Sequence, residues 1–167
     1  MSPLMLSIIV SLLLSGSVTR PEIYRTTGTD AFVVTERAVY HTYSNARYRF
    51  SIAYPADLLV PQGESDNGDG QRFTSRDGSA SLAAFGSNRL DRSLQDEFSS
   101  AQENRNVTYK VLKRDMFVVS GTENGKIFYQ KTLLRGDVFK TFILEYDESA
   151  RGVYDAVTTR VARSFVG

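Results

Sequence analysis

The chain predicts an α+β fold, a single domain in which an antiparallel β-sheet is flanked by helices. Three observations carry that expectation. Residues 116–123 and 126–135 are two β-rich runs joined by Asn124 and Gly125. That dipeptide suits a type I′ turn, whose two central residues both need φ > 0. Gly136 and Asp137 then separate the second run from a third at residues 138–146, and Gly in the first central position fits a type II′ turn. From Ala150 onward the strand period gives way to a helical one. Val153, Val157, Val161 and Phe165 recur at a spacing of four, with Tyr154 and Ala162 beside them, which is one apolar helix face laid on a sheet.

Within the third run, Phe139, Thr141, Ile143 and Glu145 share one face, and Val138, Lys140, Phe142, Leu144 and Tyr146 share the other. Neither face is cleanly polar, so this strand is expected to be central and covered on both sides. Arg151, Asp155, Thr158, Thr159, Arg160 and Arg163 occupy the rest of the helical wheel. Asp147, Glu148 and Ser149 stand where a capping oxygen and negative charge are favoured, and Arg160 and Arg163 stand near the opposite pole.

At the start of the chain, residues 4–14 form an apolar run broken by Ser7 and Ser11 and followed by Ser15, Gly16 and Ser17. The run is shorter than the about 20 residues of a membrane span, but it fits the core of a secretory signal followed by small residues at a cleavage site. Residues 1–17 are therefore read as a signal peptide or N-terminal anchor. Met1, Ser2 and Pro3 depart from the usual pattern in carrying no Lys or Arg. Residues 18–37 read as a linker or lead-in, with a candidate short strand at 31–34, and residues 38–167 as the folded domain.

In that domain residues 39–43 are a candidate strand. Tyr48, Phe50, Ile52 and Tyr54 then alternate with Arg49, Ser51 and Ala53, as in a half-buried strand. Pro55 ends it, and residues 57–60 form a short continuation before Pro61. Residues 62–70, rich in Gly, Asp and Glu, read as a mobile acidic loop. Residues 72–75 and 79–85 flank Arg76, Asp77 and Gly78 as a further hairpin. Ser93 and Asp96 have capping-box spacing and open a helix through about Asn104, with Leu94, Phe98 and Ala101 as its apolar stripe. Residues 107–112 return to the sheet. The coarse order is βββαββββα.

At 167 residues the chain has room for one core and a short extra segment. Its 20 basic and 19 acidic residues leave a net charge of +1, too weak a field for nonspecific nucleic-acid binding. There is no cysteine, which excludes disulfides, thiol catalysis, Cys-ligated zinc and lipid attachment through an N-terminal cysteine.

Tyr48 to Pro55, the acidic loop, Phe73 to Gly78 and a final helix ending in Val161, Ala162, Arg163, Ser164 and Phe165 together resemble the PsbP-like superfamily. The likeness is to small exported bacterial members of unassigned function, and it spans residues 46–166. It implies an antiparallel sheet with helices on both faces, an α/β/α sandwich, and no shared catalytic apparatus. The motifs that carry it are structural and bring no functional residue with them.

Candidate chemistry is sparse. His41 is the one histidine, so a multi-histidine metal site within one chain is excluded. A Ser-His-Asp triad would lack its Gly-x-Ser-x-Gly elbow. Glu64, Asp66 and Asp69 are carboxylates suited to Ca²⁺, but their spacing does not match an EF-hand, and a solvated loop is the favoured reading. Asn106, Val107 and Thr108 form an N-glycosylation sequon. Arg89, Arg92, Arg105, Lys110, Lys113 and Arg114 make the middle of the chain basic, yet interspersed acids favour a mixed solvated face.

No catalytic, cofactor-binding or metal-ligating residue is assigned, and no cofactor is expected. The expected function is that of a non-enzymatic exported domain, periplasmic or extracellular, that binds or scaffolds an envelope protein. Membrane contact is expected only through an uncleaved 4–14 segment. A carrier of a small apolar ligand or lipid between sheet and helix is the second reading, and a hydrolase the third. A lined cavity of at least about 300 Å³ would favour the carrier.

Overall fold

Strand-forming alternation runs through most of residues 38–167, the residues that the computed structural model describes. Strands β1 (Tyr40–Asn45), β2 (Phe50–Pro55), β3 (Val60–Glu64), β4 (Gly70–Thr74) and β5 (Ala80–Asn88) precede helix α1 (Leu94–Ser100). Strands β6 (Asn106–Leu112), β7 (Met116–Glu123), β8 (Lys126–Arg135) and β9 (Val138–Asp147) follow, and helix α2 (Arg151–Ser164) closes the order. The signal or anchor at 1–17, the linker at 18–37 and the candidate strand at 31–34 lie outside the described residues.

Seven strands form one antiparallel sheet in the order β3-β4-β5-β9-β8-β7-β6, and β1 and β2 pair separately as a two-stranded sheet. Strand β9 is the middle strand, hydrogen-bonded to β5 and β8 along its whole length. Its two faces divide as the alternation predicts. Phe142, Leu144 and Tyr146 join the core under α2, and Phe139 joins the one under α1. The helices therefore cover opposite faces of one sheet. The turns agree as well: Asn124 and Gly125 both have positive φ, 50° and 77°, the pairing that excludes most other residues from a type I′ turn.

The α2 face is assembled from residues far apart in sequence. Phe165 packs edge-on against Phe50 (5.9 Å between ring centroids) and against Phe142 (5.1 Å), while Tyr146 stacks on Tyr154 at 5.4 Å. The Ala53 amide donates to Ser164 Oγ (2.9 Å), and Ser51 and Val166 exchange backbone hydrogen bonds. The residues just after α2 thus act as a third partner for the β1–β2 sheet. At its other end, Tyr48 lies over Gly86 of β5, where a Cβ would come within 2.3 Å of the ring. Only glycine lets the hairpin approach that closely.

Four expectations need correction. Among the described residues five strands precede α1, two more than the coarse order allows. Among them strand β1 pairs only with β2, and β3 hides in a stretch where Pro61 closes the expected continuation and Gly63 falls in the expected loop, its ladder with β4 broken by a register shift between Pro61 and Glu64. Helix α1 ends at Ser100, with tighter turns continuing to Asn104. Val153 is 50 % exposed, because a spacing of four overshoots the helical repeat by about 40° per step and the stripe drifts off the buried face. Tyr154, Val157, Thr158 and Val161 hold that face instead. Finally, α2 has no side-chain cap. A 3₁₀ turn (Glu148–Ala150) leads into it, and Asp147 pairs across the ladder with Lys126 at 2.5 Å. The capping box of α1 forms as predicted, with Ser93 and Asp96 bonded reciprocally.

Two predictions follow from this packing. Phe142 is fully buried at the centre of the sheet, so Phe142→Ala is expected to lose about 3–5 kcal/mol in a denaturant titration, and a near-neutral result would contradict its placement. In the β4–β5 turn, the Asp77 carboxylate accepts from the hydroxyls of Ser75 (2.7 Å) and Ser79 (2.8 Å) and from the Ser79 amide, which pull its pKa down to about 2. The stability this contributes is present above the unfolded value near 4 and is lost as pH falls toward 2. Asp77→Asn keeps an acceptor but cannot titrate, so its acid unfolding curve is expected to be flatter than that of the parent between those pH values.

Candidate functional site

His41 lies exposed on β1, opposite Tyr54 of β2, and its ring meets the tyrosine edge-on at 6.1 Å. It stands on the two-stranded sheet as an exposed strand residue.

The acidic segment is more ordered than its composition suggests. Residues 62–64 belong to β3, and the turn after them is laced by side chains. Glu64 Oε1 accepts from Tyr43 Oη at 2.7 Å and from Asn45 Nδ2 at 3.0 Å. Asp69 accepts from Ser65 Oγ at 2.6 Å and from Asn67 Nδ2 at 2.9 Å, bonds that hold its carboxyl below the usual range. Asn45 is buried, donates to the Gly68 carbonyl at 2.9 Å and accepts from the Tyr48 amide. The Arg47 guanidinium adds a bond to the Asn67 carbonyl. Burial and the neighbouring Glu64 push the Tyr43 hydroxyl up to about 12, partly opposed by Asn45. Glu64 and Asp69 are thus committed to different partners, and among the described residues no three His, Cys or carboxylate groups gather where a cation would sit. This segment clamps the β3–β4 turn to β1. Beside it an open groove of about 550 Å³ runs along β3, β4 and β5, with Glu64, Arg72, Ala83 and Phe85 in its walls.

The basic residues of the middle divide into two groups. Arg92 pairs with Glu97 at 2.9 Å, and Arg89 Nε donates to the Arg92 carbonyl. Arg105 is a hub: Nε meets Glu123 at 2.8 Å, Nη1 meets Gln130 Oε1 at 3.1 Å, and the guanidinium lies 4.6 Å from the Phe128 ring centroid. Arg105 ties the turn after α1 to the sheet, while Arg92 and Arg89 fasten the helix to the segment that leads into it. The second group lies on β6, the edge strand, and in the turn that follows it. Lys110 reaches Gln102 at 2.9 Å, while Lys113 and Arg114 stand exposed, without an ion pair among the described residues. Tyr109 and Leu112 on the same strand are 55 % and 37 % exposed. Asn106 of the sequon opens this strand and donates to Thr122 Oγ1 at 3.3 Å.

Sequence reading passed over two cations of the α2 side. Lys140 is buried on β9, its Nζ donating to the Arg49 carbonyl at 2.9 Å, and Lys131 Nζ donates to the Ala162 carbonyl at 2.8 Å. Burial, and then the neighbouring Arg135, lowers the pKa of both. The available signal was Lys140 at an inward position of the strand read as central. Both lysines satisfy backbone carbonyls at the junction of α2 with the β1–β2 sheet, so their part is structural.

No family model matches this chain, and no curated protein matches it in sequence. Its fold does have a solved counterpart. The solution structure of cyanobacterial PsbP (CyanoP) from Synechocystis sp. PCC 6803 superposes with a TM-score of 0.56 at 14 % identity, covering 78 % of this chain and 94 % of that one. The fold is therefore PsbP-like, as the arrangement of Tyr48 to Pro55 and the Ser164-Phe165 ending implied.

Because Glu64 and Asp69 already have protein partners that hold them apart, adding millimolar CaCl₂ is expected to leave the thermal unfolding curve unchanged. A ligand that binds the folded state raises the midpoint, so a clear rise in Tm would assign the loop to calcium after all.

Proposed function

We propose that this domain is a non-catalytic protein-binding module, exported to the periplasm or the cell exterior, that binds or scaffolds an envelope protein. The observation that carries the reading is how the layer between sheet and α2 is filled. Ile52, Leu82, Phe142, Leu144 and Val161 are fully buried there, and Phe165 is seated between two other phenylalanine rings. An apolar cargo would have to displace close-packed side chains, a loss of several kcal/mol on the scale of core truncations. That weighs against the carrier and leaves the surface as the place of function.

The hydrolase reading finds as little support. A general acid at neutral pH needs a carboxyl pushed upward. Among the described residues, the carboxylates with displaced pKa are Asp69, Asp77 and Asp96, and hydrogen bonds displace each of them downward. A PsbP-like fold is compatible with binding and supplies no catalytic template. Export rests on the apolar run at residues 4–14 and the small residues after it.

Crosslinking of the tagged full-length protein in its native host, followed by mass spectrometry of the captured partners and of the bait's own N-terminus, tests both parts. The expected result is a specific envelope protein and a bait that begins near Val18. A bait beginning at Met1 in the soluble cytosolic fraction, with no partner, would overturn both export and the binding role.

A further inference from the structure

The seven-stranded sheet ends in two unlike edges. Strand β3 is short, carries Pro61 with no amide to donate, and is bulged between Pro61 and Glu64, features that block further pairing. Strand β6 is longer, and all of it from Thr108 to Lys110 and again at Leu112 is exposed. Its hydrogen-bonding direction can be read from the turn that follows. The Lys113 amide donates to the Met116 carbonyl at 2.8 Å, so residues 113 and 116 are a hydrogen-bonded pair. Antiparallel pairs alternate between bonded and non-bonded. In the register of Leu112 with Phe117, Val111 with Val118 and Lys110 with Val119, the amides and carbonyls of Leu112 and Lys110 point away from β7.

We propose that β6 is a strand-addition site that takes an extended, acidic segment of a partner protein. This deepens the protein-binding reading above and rests on it. From Asn104 to Arg114 the chain holds four cations and no carboxylate. One of them, Arg105, is spent on Glu123, which leaves Lys110 on the edge strand, where it also donates to Gln102, and Lys113 and Arg114 in the turn that follows it. An incoming strand gains main-chain hydrogen bonds from Lys110 and Leu112 and side-chain contact with the exposed Tyr109 on one face and Leu112 on the other. The charges select what enters. A second copy pairing β6 with β6 would oppose like cations along a shared ladder, which is destabilising, whereas carboxylates on the entering segment pair with all three. The same lysines that keep two copies apart make the edge specific for an acidic partner.

The test is a random dodecapeptide library displayed on phage, panned against the full-length chain and two variants. Leu112→Pro removes one outward amide while leaving the β6–β7 ladder its bonds. K110E/K113E/R114E reverses the charge through exposed side chains alone, and keeps the experiment decisive if the proline variant does not fold. The expected result is enrichment of acidic peptides with alternating apolar residues, which bind the folded variants at least about tenfold more weakly and shift the backbone amide resonances of Lys110 and Leu112. Peptides that are not acidic, peptides that hold both variants as tightly as the parent, or no enrichment at all would overturn the assignment of β6. The protein-binding reading survives those outcomes if crosslinking still recovers an envelope partner. Concentration-dependent self-association that Leu112→Pro abolishes would replace the acidic partner with a second copy.

Discussion

The position of Phe165 is the contact on which the architecture of the α2 face depends. Its ring stands between Phe50 of β2 and Phe142 of β9, so it joins three elements that share no ladder. Among the described residues no backbone ladder joins the main sheet to the β1–β2 sheet. Aromatic rings and side-chain bonds from Tyr43 and Asn45 to Glu64 and from Lys140 to the Arg49 carbonyl connect them, while the Ser164 hydroxyl and the exchange between Ser51 and Val166 tie the end of α2 to the small sheet. Lys131, half-buried, and Lys140, buried, belong to the same junction. Lys131 lies 5.9 Å from the Phe165 ring centroid and bonds the last turn of α2, and Lys140 bonds the carbonyl of Arg49 just before β2. A backbone carbonyl turned inward at such a seam needs a donor, and each lysine supplies one while its methylenes fill apolar space.

On the opposite face the arrangement is lighter. Helix α1 is short, and Leu94, Phe98 and Ala101 meet Phe117, Val119, Phe128 and Phe139. Arg105 fastens the far side of that patch. Here the sequence-distant glue is polar, with Glu123 and Gln130 received by one guanidinium, and the planar fork of arginine suits two acceptors at once. The two faces thus use different chemistry for the same task of holding a helix on a sheet.

The meander and the faces of β9 were legible because they depend on local patterns: Asn124-Gly125 at a turn, alternation on a strand, and an apolar period on a helix. The Ser93 capping box was legible for the same reason. What escaped depends on pairing across the chain. Strand β3 has poor local signals in Pro61 and Gly63 and becomes a strand only because β4 offers an edge. Val153 was misplaced by treating a spacing of four as if it were the helical repeat. The acidic stretch looked solvated because composition does not reveal that Tyr43 and Asn45, some twenty positions earlier, supply its donors. The unlike character of the two sheet edges is likewise invisible until strand order is known, although the cations of β6 were in plain view.

Strand β9 is the middle of the sheet and the last of its strands in chain order. Until it emerges, β3–β4–β5 and β6–β7–β8 are two half-sheets, each with an inner edge that has no neighbour. Closure joins Ala80 to Tyr146 and Ser51 to Val166, contacts of large sequence separation, and such topologies fold slowly because loop entropy is lost before the contacts form. During synthesis the core of this domain therefore stays open until β9 and α2 have emerged. In that interval the inner edges of β5 and β8 are the surfaces most in need of a chaperone.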